Sequence, residues 1–361
     1  MLVDLDYFFA QCEELRNPSL RDKPVVVCVY SGRSEDSGAV STSNYIARKY
    51  GVKSGMPIFL AKRKLESVEA AFLPVDHPFY EEVSENVMSL LEAYADRFEQ
   101  VGIDEAFLDV TERAHGSFQE AKLLAETIRA EVRNQQKLTC SVGVGPNKLV
   151  AKIAADEKKP DGLTVIAPDQ VKGFLAPLPV NRLLGVGTKT LEKMLTLGIT
   201  KVSDLADYNV QNLIAAFGKT LGTYFHNASL GVDNEPVQER GEAESISRIV
   251  TLKEDTKDLT LILEQTDRIC KDVHDRIVEE KLTFKTVSII AITKDMKVHT
   301  RSRTFENPSS SLELIKKTAA ELFEKFLGDT QVETRRVGVK VSNFAGVEKG
   351  QRQLTGFIES A

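Results

Sequence analysis

The stretch VGIDEAFLDV (residues 101–110) reads as a strand, a tight turn and a second strand. Val101 and Ile103 lead in, Asp104 and Glu105 sit where the hairpin must turn, and Ala106, Leu108 and Val110 alternate on the way out. The turn pushes two carboxylates off the end of a sheet. A second acidic pair stands in the opening residues MLVDLDYFFAQCEEL (1–15), where Asp4 and Asp6 interrupt an apolar start followed by aromatics. A carboxylate in a strand that is to be buried is costly unless a cation neutralises it. If the first strand pairs with the hairpin, Asp4 comes beside Asp104 and Glu105, and three hard oxygen donors at one sheet edge suit Mg²⁺. Two such ions about 3.5–4 Å apart form the clamp of in-line nucleotidyl transfer. Asp6 is expected to cap the helix that begins near Phe8.

Outward from this hairpin the chain alternates helix and strand. PVVVCVY (24–30) and TCSVGVG (139–145) are strand-like, and residues 77–94, 117–136 and 146–159 are helical, which predicts an α+β sheet with helices packed on it. Residues 166–231 hold short helices broken by Gly and Pro, with no convincing strand. LGVDNEPVQERGEAES (230–245) is polar and acidic and reads as a linker. Four strand-like runs and two long helical ones follow, a second compact α+β domain, and residues 346–361 form a tail without a core of its own.

The 361 residues are 42% hydrophobic and contain no run long enough to span a membrane and no basic-then-apolar leader, so the protein is read as cytoplasmic. Cys12, Cys28, Cys140 and Cys270 are widely spaced, and the five histidines are scattered, which argues against a disulfide framework or a zinc site. The net charge of −6 is unlike that of a simple polyanion binder. Yet from Lys281 to Arg303 six basic residues face a single acid, Asp295.

The basic residues suggest what the acids act on. In SNYIARKYG (43–51) Tyr45 and Arg48 share a helical face, so a hydroxyl and a guanidinium can grip one polyphosphate, and Lys158 and Lys159 end a later helix. GPNKLVAK (145–152) lacks the spacing of a phosphate-binding loop, and Pro146 is read as opening the helix. RLLGVGTKTLEKMLTLGITKVSDL (182–205) has the shape of a helix-hairpin-helix: Gly185 and Gly187 let backbone N–H groups approach a DNA phosphate beside Lys189, with Leu191, Met194 and Leu195 expected inward. AFGKTLGTYF (216–225) is a weaker copy. Arg248, Lys285, Arg301, Arg303, Arg335 and Arg336 of the last domain are expected to contact the DNA backbone, Arg301 and Arg303 from one face of their strand.

DLDYFFAQCEE (4–14), SGAVSTSNYIARKYGVKSGMP (37–57), GIDEAFLDVT (102–111), CSVGVGPNKLVAKIAADEKKPDG (140–162) and LLGVGTKTLEKMLTLGI (183–199) occur in the order seen in Y-family translesion DNA polymerases. Over nearly its full length the chain resembles the DinB (polymerase IV) branch, its archaeal members above all. The resemblance implies a right hand: palm (1–9 and 75–164), fingers (10–74), thumb (165–231), a linker (232–244) and a little finger (245–345). It implies metal ligation by Asp4, Asp104, Glu105 and the carbonyl of Leu5, with two Mg²⁺ ions and Mn²⁺ as a substitute. It implies triphosphate contacts from Tyr45, Arg48 and Lys159, with Thr42, Tyr7 and Phe8 nearby, and a steric gate at Phe9 that collides with a ribose 2′-OH. Gly38 and Ala39 match small residues over the nascent base pair. Gly102 departs from the pattern, standing where a Ser is usual.

The implied activity is template-directed, low-fidelity DNA synthesis past lesions on a primer-template with dNTPs, by a monomer without a proofreading exonuclease. In the tail, Gln351, Leu354, Phe357 and Ile358 resemble a peptide that binds a PCNA-type sliding clamp. A metal-dependent nuclease, a clamp-tethered DNA-binding protein and a D-x-D sugar transferase are the competing readings. None of the three needs the whole set of acids, triphosphate grip and aromatic gate.

Overall fold

The computed structural model describes residues 1–239, 241 and 243–345. Two compact units are present: Met1–Val29 with Val40–Arg240, and Tyr30–Ala39 with the described residues from Gly241 on.

The first unit contains strands β1 (Leu2–Leu5), β2 (Val25–Tyr30), β3 (Gly38–Ser43), β4 (Ala71–Pro74), β5 (Arg97–Gln100), β6 (Glu105–Asp109), β7 (Cys140–Val144) and β8 (Leu163–Val165), except that Tyr30 of β2 and Gly38 and Ala39 of β3 fall in the second unit. Five of them form one sheet in the order β5-β6-β1-β7-β8. β1 is its central strand, antiparallel to β6 and β7, with Asp4 directly opposite Glu105 on one side and Ser141 on the other. The alternation of β1 decides what each face receives. Val3 and Leu5 enter the main core, shared with the helices Phe8–Arg16, His77–Glu92 and Phe118–Glu131. Leu2 faces the other way, against Phe107, Ala151 and Ala155, so the helix Lys148–Ala155 lies on the face that carries Asp4.

That helix lies very close to the sheet. A Cβ on Gly143 of β7 would stand 2.0 Å from the Ala151 carbonyl oxygen and 2.4 Å from the Ala155 nitrogen. Asn147, not Pro146, caps the helix, its side chain accepting from the Val150 amide at 3.0 Å. β2, β3 and β4 form a separate sheet in the order β3-β2-β4.

Residues 166–231 carry no strand, only short helices. Gly185 has φ +80 and Gly198 φ +77, the left-handed conformations that both turns of the helix-hairpin-helix require. Between them the helix Thr188–Thr196 buries Met194, but Leu195 is 49% exposed rather than inward. The segment read as a linker begins tied down. Asp233 accepts from the Leu149 amide at 3.0 Å, Asn147 donates to the Gly231 carbonyl at 2.7 Å, and Lys148 pairs with Glu99 and Glu235 at 2.9 and 3.4 Å.

In the second unit, β9 (Ser245–Thr256), β10 (Phe284–Thr293), β11 (Val298–Ser309) and β12 (Thr334–Phe344) form a sheet in the order β11-β10-β12-β9. Val287, Ile289, Ala291, Val337, Val339 and Val341 pack against the helices Leu259–Glu279 and Leu312–Asp329. The opposite face carries the alternate residues, among them Thr286, Ser288, Thr300, Ser302, Lys340 and Arg336. Among the described residues no helix is long and apolar enough to cross a membrane.

Candidate active site

The expected acids meet because β1 pairs with β6. Asp4 stands across from Glu105, and the Leu5 amide donates to the Asp104 carbonyl at 2.8 Å, so the turn before β6 is fastened to the end of β1. Glu105 is the first residue of its strand and Asp104 the last of the turn. The Ser84 hydroxyl steadies that turn by donating to the Ile103 carbonyl at 2.5 Å. Gly102 leaves little room there, since a Cβ would stand 3.2 Å from Glu105 Cγ.

A pocket of about 290 Å³ opens beside the acids, lined by Asp4, Leu5, Asp104, Lys159, Tyr7, Phe8, Phe9, Ser41, Thr42, Tyr45, Arg48 and Ser54. A larger cavity of about 450 Å³ lies under Asp233–Val237; neither Asp4, Asp104 nor Lys159 lines it, so the smaller one holds the chemistry.

Burial first, then the charges of Asp104 and Glu105, pushes the Asp4 carboxyl up to about 6 despite the Lys159 ammonium at 2.8 Å. Burial and Glu105 likewise raise Asp104. Burial opposes the charge on Lys159, but Asp4 and Asp156 outweigh it and raise that lysine. The pair thus moves both partners upward. For Asp4, desolvation and two neighbouring acids prevail over one cation. Glu105 pairs instead with Lys152 Nζ.

The donor set fits a hard divalent cation: three crowded carboxylates whose repulsion is only partly relieved, with the backbone of Leu5 on the same pocket wall. Among the described residues no three acidic, His or Cys side chains converge tightly enough to hold an ion as they stand; Asp4 is paired with Lys159 and Glu105 with Lys152.

The other wall is aromatic and basic. Arg48 Nε donates to the Ser43 carbonyl at 2.9 Å, and its guanidinium lies 4.6 Å over the Tyr45 ring, so the shared face expected of these residues is realised as a stack. Tyr45 meets Tyr7 edge-on at 5.4 Å. Tyr7 holds φ 36 and ψ 44, a left-handed conformation rare for a bulky residue, with its hydroxyl on Glu14 at 3.2 Å. Phe9 stacks on Tyr80 at 4.3 Å and 17°. The Tyr80 hydroxyl in turn donates to Glu13 at 2.7 Å, and Glu13 is paired with Arg16 at 2.6 Å.

The chain is similar over nearly its whole length to known proteins. Residues 3–156 match the impB/mucB/samB family, 243–356 that family's C-terminal domain, and 181–233 the DNA polymerase-iota thumb domain. DNA polymerase IV of Nitrosopumilus maritimus is 45% identical over 357 residues, covering 99% of this chain and 98% of the relative. DNA polymerase IV 1 of Methanosarcina mazei is 44% identical, covering 98% and 97%. The chain belongs to the Y-family DNA polymerases. A solved Y-family chimera, Dbh-Dpo4(243-245)-Dbh, matches this polymerase with a TM-score of 0.90 at 38% identity over 95% of this chain and 98% of that one. The chain is therefore a DNA-directed DNA polymerase of the low-fidelity translesion type, with the right-hand fold and additional C-terminal domain of its family, which uses a divalent metal.

Within this polymerase the remaining expected residues fall out differently. Gly185, Gly187 and Lys189 are exposed at the start of the helix Thr188–Thr196. Gly38 and Ala39 open β3. Arg301 and Arg303 do share a strand face, but it is the helix-covered one: they lie opposite Ile289 and Val287 and pair with Asp329 at 2.8 Å and with Glu321. Arg248, opposite Val339, is on that side too, exposed at the edge. Arg335 is committed to Asp255 at 2.7 Å, whereas Arg336 lies on the open side, and Lys285 sits at a bulge. Gln351, Leu354, Phe357 and Ile358 lie outside the described residues.

Sequence reading missed two residues. Lys152 is a lysine in a helix whose neighbours Ala151 and Ile153 are buried, and that mismatch was its signal. Asp6, expected as a helix cap, does not cap: the helix Phe8–Arg16 has Tyr7 at its N-cap position and no side-chain cap, and Asp6 is 1% exposed.

Proposed function

We propose that this polymerase extends a primer 3′ end on a DNA template by nucleotidyl transfer from a dNTP, with two Mg²⁺ ions, or Mn²⁺ in their place, held by Asp4, Asp104, Glu105 and the Leu5 carbonyl. What carries this reading is a single pocket lined by Asp4 and Asp104, with Glu105 across the strand from Asp4, by Lys159 beside Asp4, and by Tyr45 and Arg48. When bound, the ions supply a Lewis-acid clamp on the attacking and leaving oxygens. Arg48, already held by the Ser43 carbonyl and the Tyr45 ring, takes a triphosphate oxygen without searching for its rotamer, which lowers the cost of binding. Lys159 moves from Asp4 toward the triphosphate, leaving Asp4 free to ligate. Phe9, backed by Tyr80, stands where a 2′-OH would come and so favours deoxynucleotides. Chemistry here is positioning and charge neutralisation.

In this reading the palm is 1–9 and 75–164, the fingers 10–74, the thumb 165–231, the linker 232–244 and the little finger 245–345. The thumb glycines and Lys189, with the basic residues on the open face of the little finger, Arg336 and Lys340 among them, hold the duplex backbone. The enzyme works in the cytoplasm as a monomer without excision of mismatches, tethered to a sliding clamp by its tail. Extension of a labelled primer across an abasic site, wild type against Asp104→Ala, tests the core of it. Extension by wild type alone, with both proteins binding the duplex, is the expected result, and extension by Asp104→Ala refutes the assignment.

A further inference from the structure

Asp6 is a buried carboxylate without a cation. At 1% exposure it is fixed entirely by neutral donors: Thr139 Oγ1 at 2.9 Å, Ser141 Oγ at 2.7 Å and the backbone amide of Asp161 at 2.8 Å. Such a group is expensive to bury, so its surroundings are arranged to hold it. Gln11 closes the network from below, donating to the Asp6 carbonyl at 2.7 Å and to the Thr139 carbonyl at 3.2 Å.

Two of these donors belong to β7 or the residue before it, and the third belongs to the turn that carries Lys159. That turn is tight and held at its far end as well. Asp161 has φ +54, its carboxylate pairs with Arg129 at 2.8 Å and with Arg133, and a Cβ on Gly162 would stand 2.1 Å from the Lys158 carbonyl. Ser141 Oγ, besides donating to Asp6, accepts from the Gly162 amide at 3.3 Å. Asp6 is therefore the point at which β1, β7 and the 158–162 turn are joined. Lys159, two residues before Asp161, places its ammonium 2.8 Å from Asp4 of β1, and Asp6 is the first residue beyond the end of that strand.

We propose that Asp6 is a positioning residue of the nucleotide site: by pinning the 158–162 turn to the central strands it sets where the Lys159 ammonium stands relative to Asp4. Its use in catalysis rests on the reading of Lys159 as a triphosphate contact. Asp6 itself touches neither nucleotide nor metal. A flexible lysine on a loose turn would find the same anion, but with its position to be fixed at each binding event, and the loss falls on nucleotide affinity rather than on the chemical step.

The test uses the full chain with primer-template in single-nucleotide insertion, together with the acetylation rate of Lys159 read by peptide mass spectrometry. Asp6→Asn keeps the shape but replaces one acceptor oxygen by a donor facing donors. It is expected to raise the dNTP KM about tenfold with kcat changed less than threefold, and to raise Lys159 acetylation severalfold. Thr139→Val and Ser141→Ala, each removing one donor and leaving the carboxylate, shift both readouts in the same direction by less, which keeps the proposal testable if Asp6→Asn folds poorly. In a Lys159→Ala background, Asp6→Asn adds no further rise in KM. A full additional rise there, or unchanged Lys159 reactivity in all three variants, overturns the proposal. If Lys159→Ala alone leaves KM unchanged while the reactivity still rises in Asp6→Asn, the triphosphate role of Lys159 fails and the pinning stands.

Discussion

Replacing Lys152 by Met isolates one charge at the acid cluster. The substitution keeps the apolar stem that runs along the helix Lys148–Ala155 and removes only the ammonium that pairs with Glu105. At an effective dielectric near 20, a unit-charge pair about 4 Å apart attracts by about 4 kcal/mol, but hydrogen bonds to charged groups net only about 1.5–3 kcal/mol after desolvation. The Lys152 and Glu105 side chains remain 27% and 21% exposed, so water screens the pair and the low end applies. A divalent cation that takes Glu105 must displace this partner. Its removal is therefore worth about 1.4 kcal/mol to the cation, a tenfold fall in dissociation constant. Mn²⁺ binding by electron paramagnetic resonance, without DNA or nucleotide, measures it directly. The metal-free variant should also melt at a lower temperature, because the crowded acids have lost a counter-charge. Unchanged or weaker Mn²⁺ binding by Lys152→Met would show that Lys152 does not stand in for the cation and would refute the reasoning.

Gly143→Ala tests how the same helix is seated: with the Ala151 carbonyl oxygen only 2.0 Å from the new methyl, the helix must move by more than an ångström. The expected cost is about 3 kcal/mol, read as a lower urea midpoint, accompanied by a raised dNTP KM because the helix and the turn after it carry Lys152 and Lys159. An unchanged midpoint contradicts the packing. Phe9→Ala should admit ribonucleotides, measured as the ratio of dNTP to rNTP insertion efficiency, and an unaltered ratio removes Phe9 from the gate. On the second unit, Lys340→Ala should weaken duplex binding and reduce the salt slope by about 1, while Arg303→Ala, which breaks an intramolecular pair with Glu321, leaves the slope unchanged. The reverse ranking would place the DNA on the helix-covered side.

What the sequence determined by itself is the local chemistry. The alternation after Glu105, the helical spacing of Tyr45 and Arg48, and the glycines at 185 and 198 each follow from a period or a backbone conformation that neighbouring residues impose, and the structure keeps them. That Asp4 would meet Glu105 was legible only as a condition, because it depends on which strand β1 pairs with, a choice made between segments a hundred residues apart. The direction of Arg301 and Arg303 was not legible at all. β11 alternates Arg with Ser and Thr, so both of its faces read as polar, and only packing on the helix Leu312–Asp329 decided which pair of side chains lay underneath. Asp6 and Lys152 failed for a related reason. A carboxylate before a helix is a cap by local rules, and a lysine on a helix is a solvated charge by local rules. Tertiary structure overrode both by bringing β7, the 158–162 turn and the start of β6 within hydrogen-bonding reach, so that buried Asp6 is satisfied by fixed donors and half-buried Lys152 by Glu105.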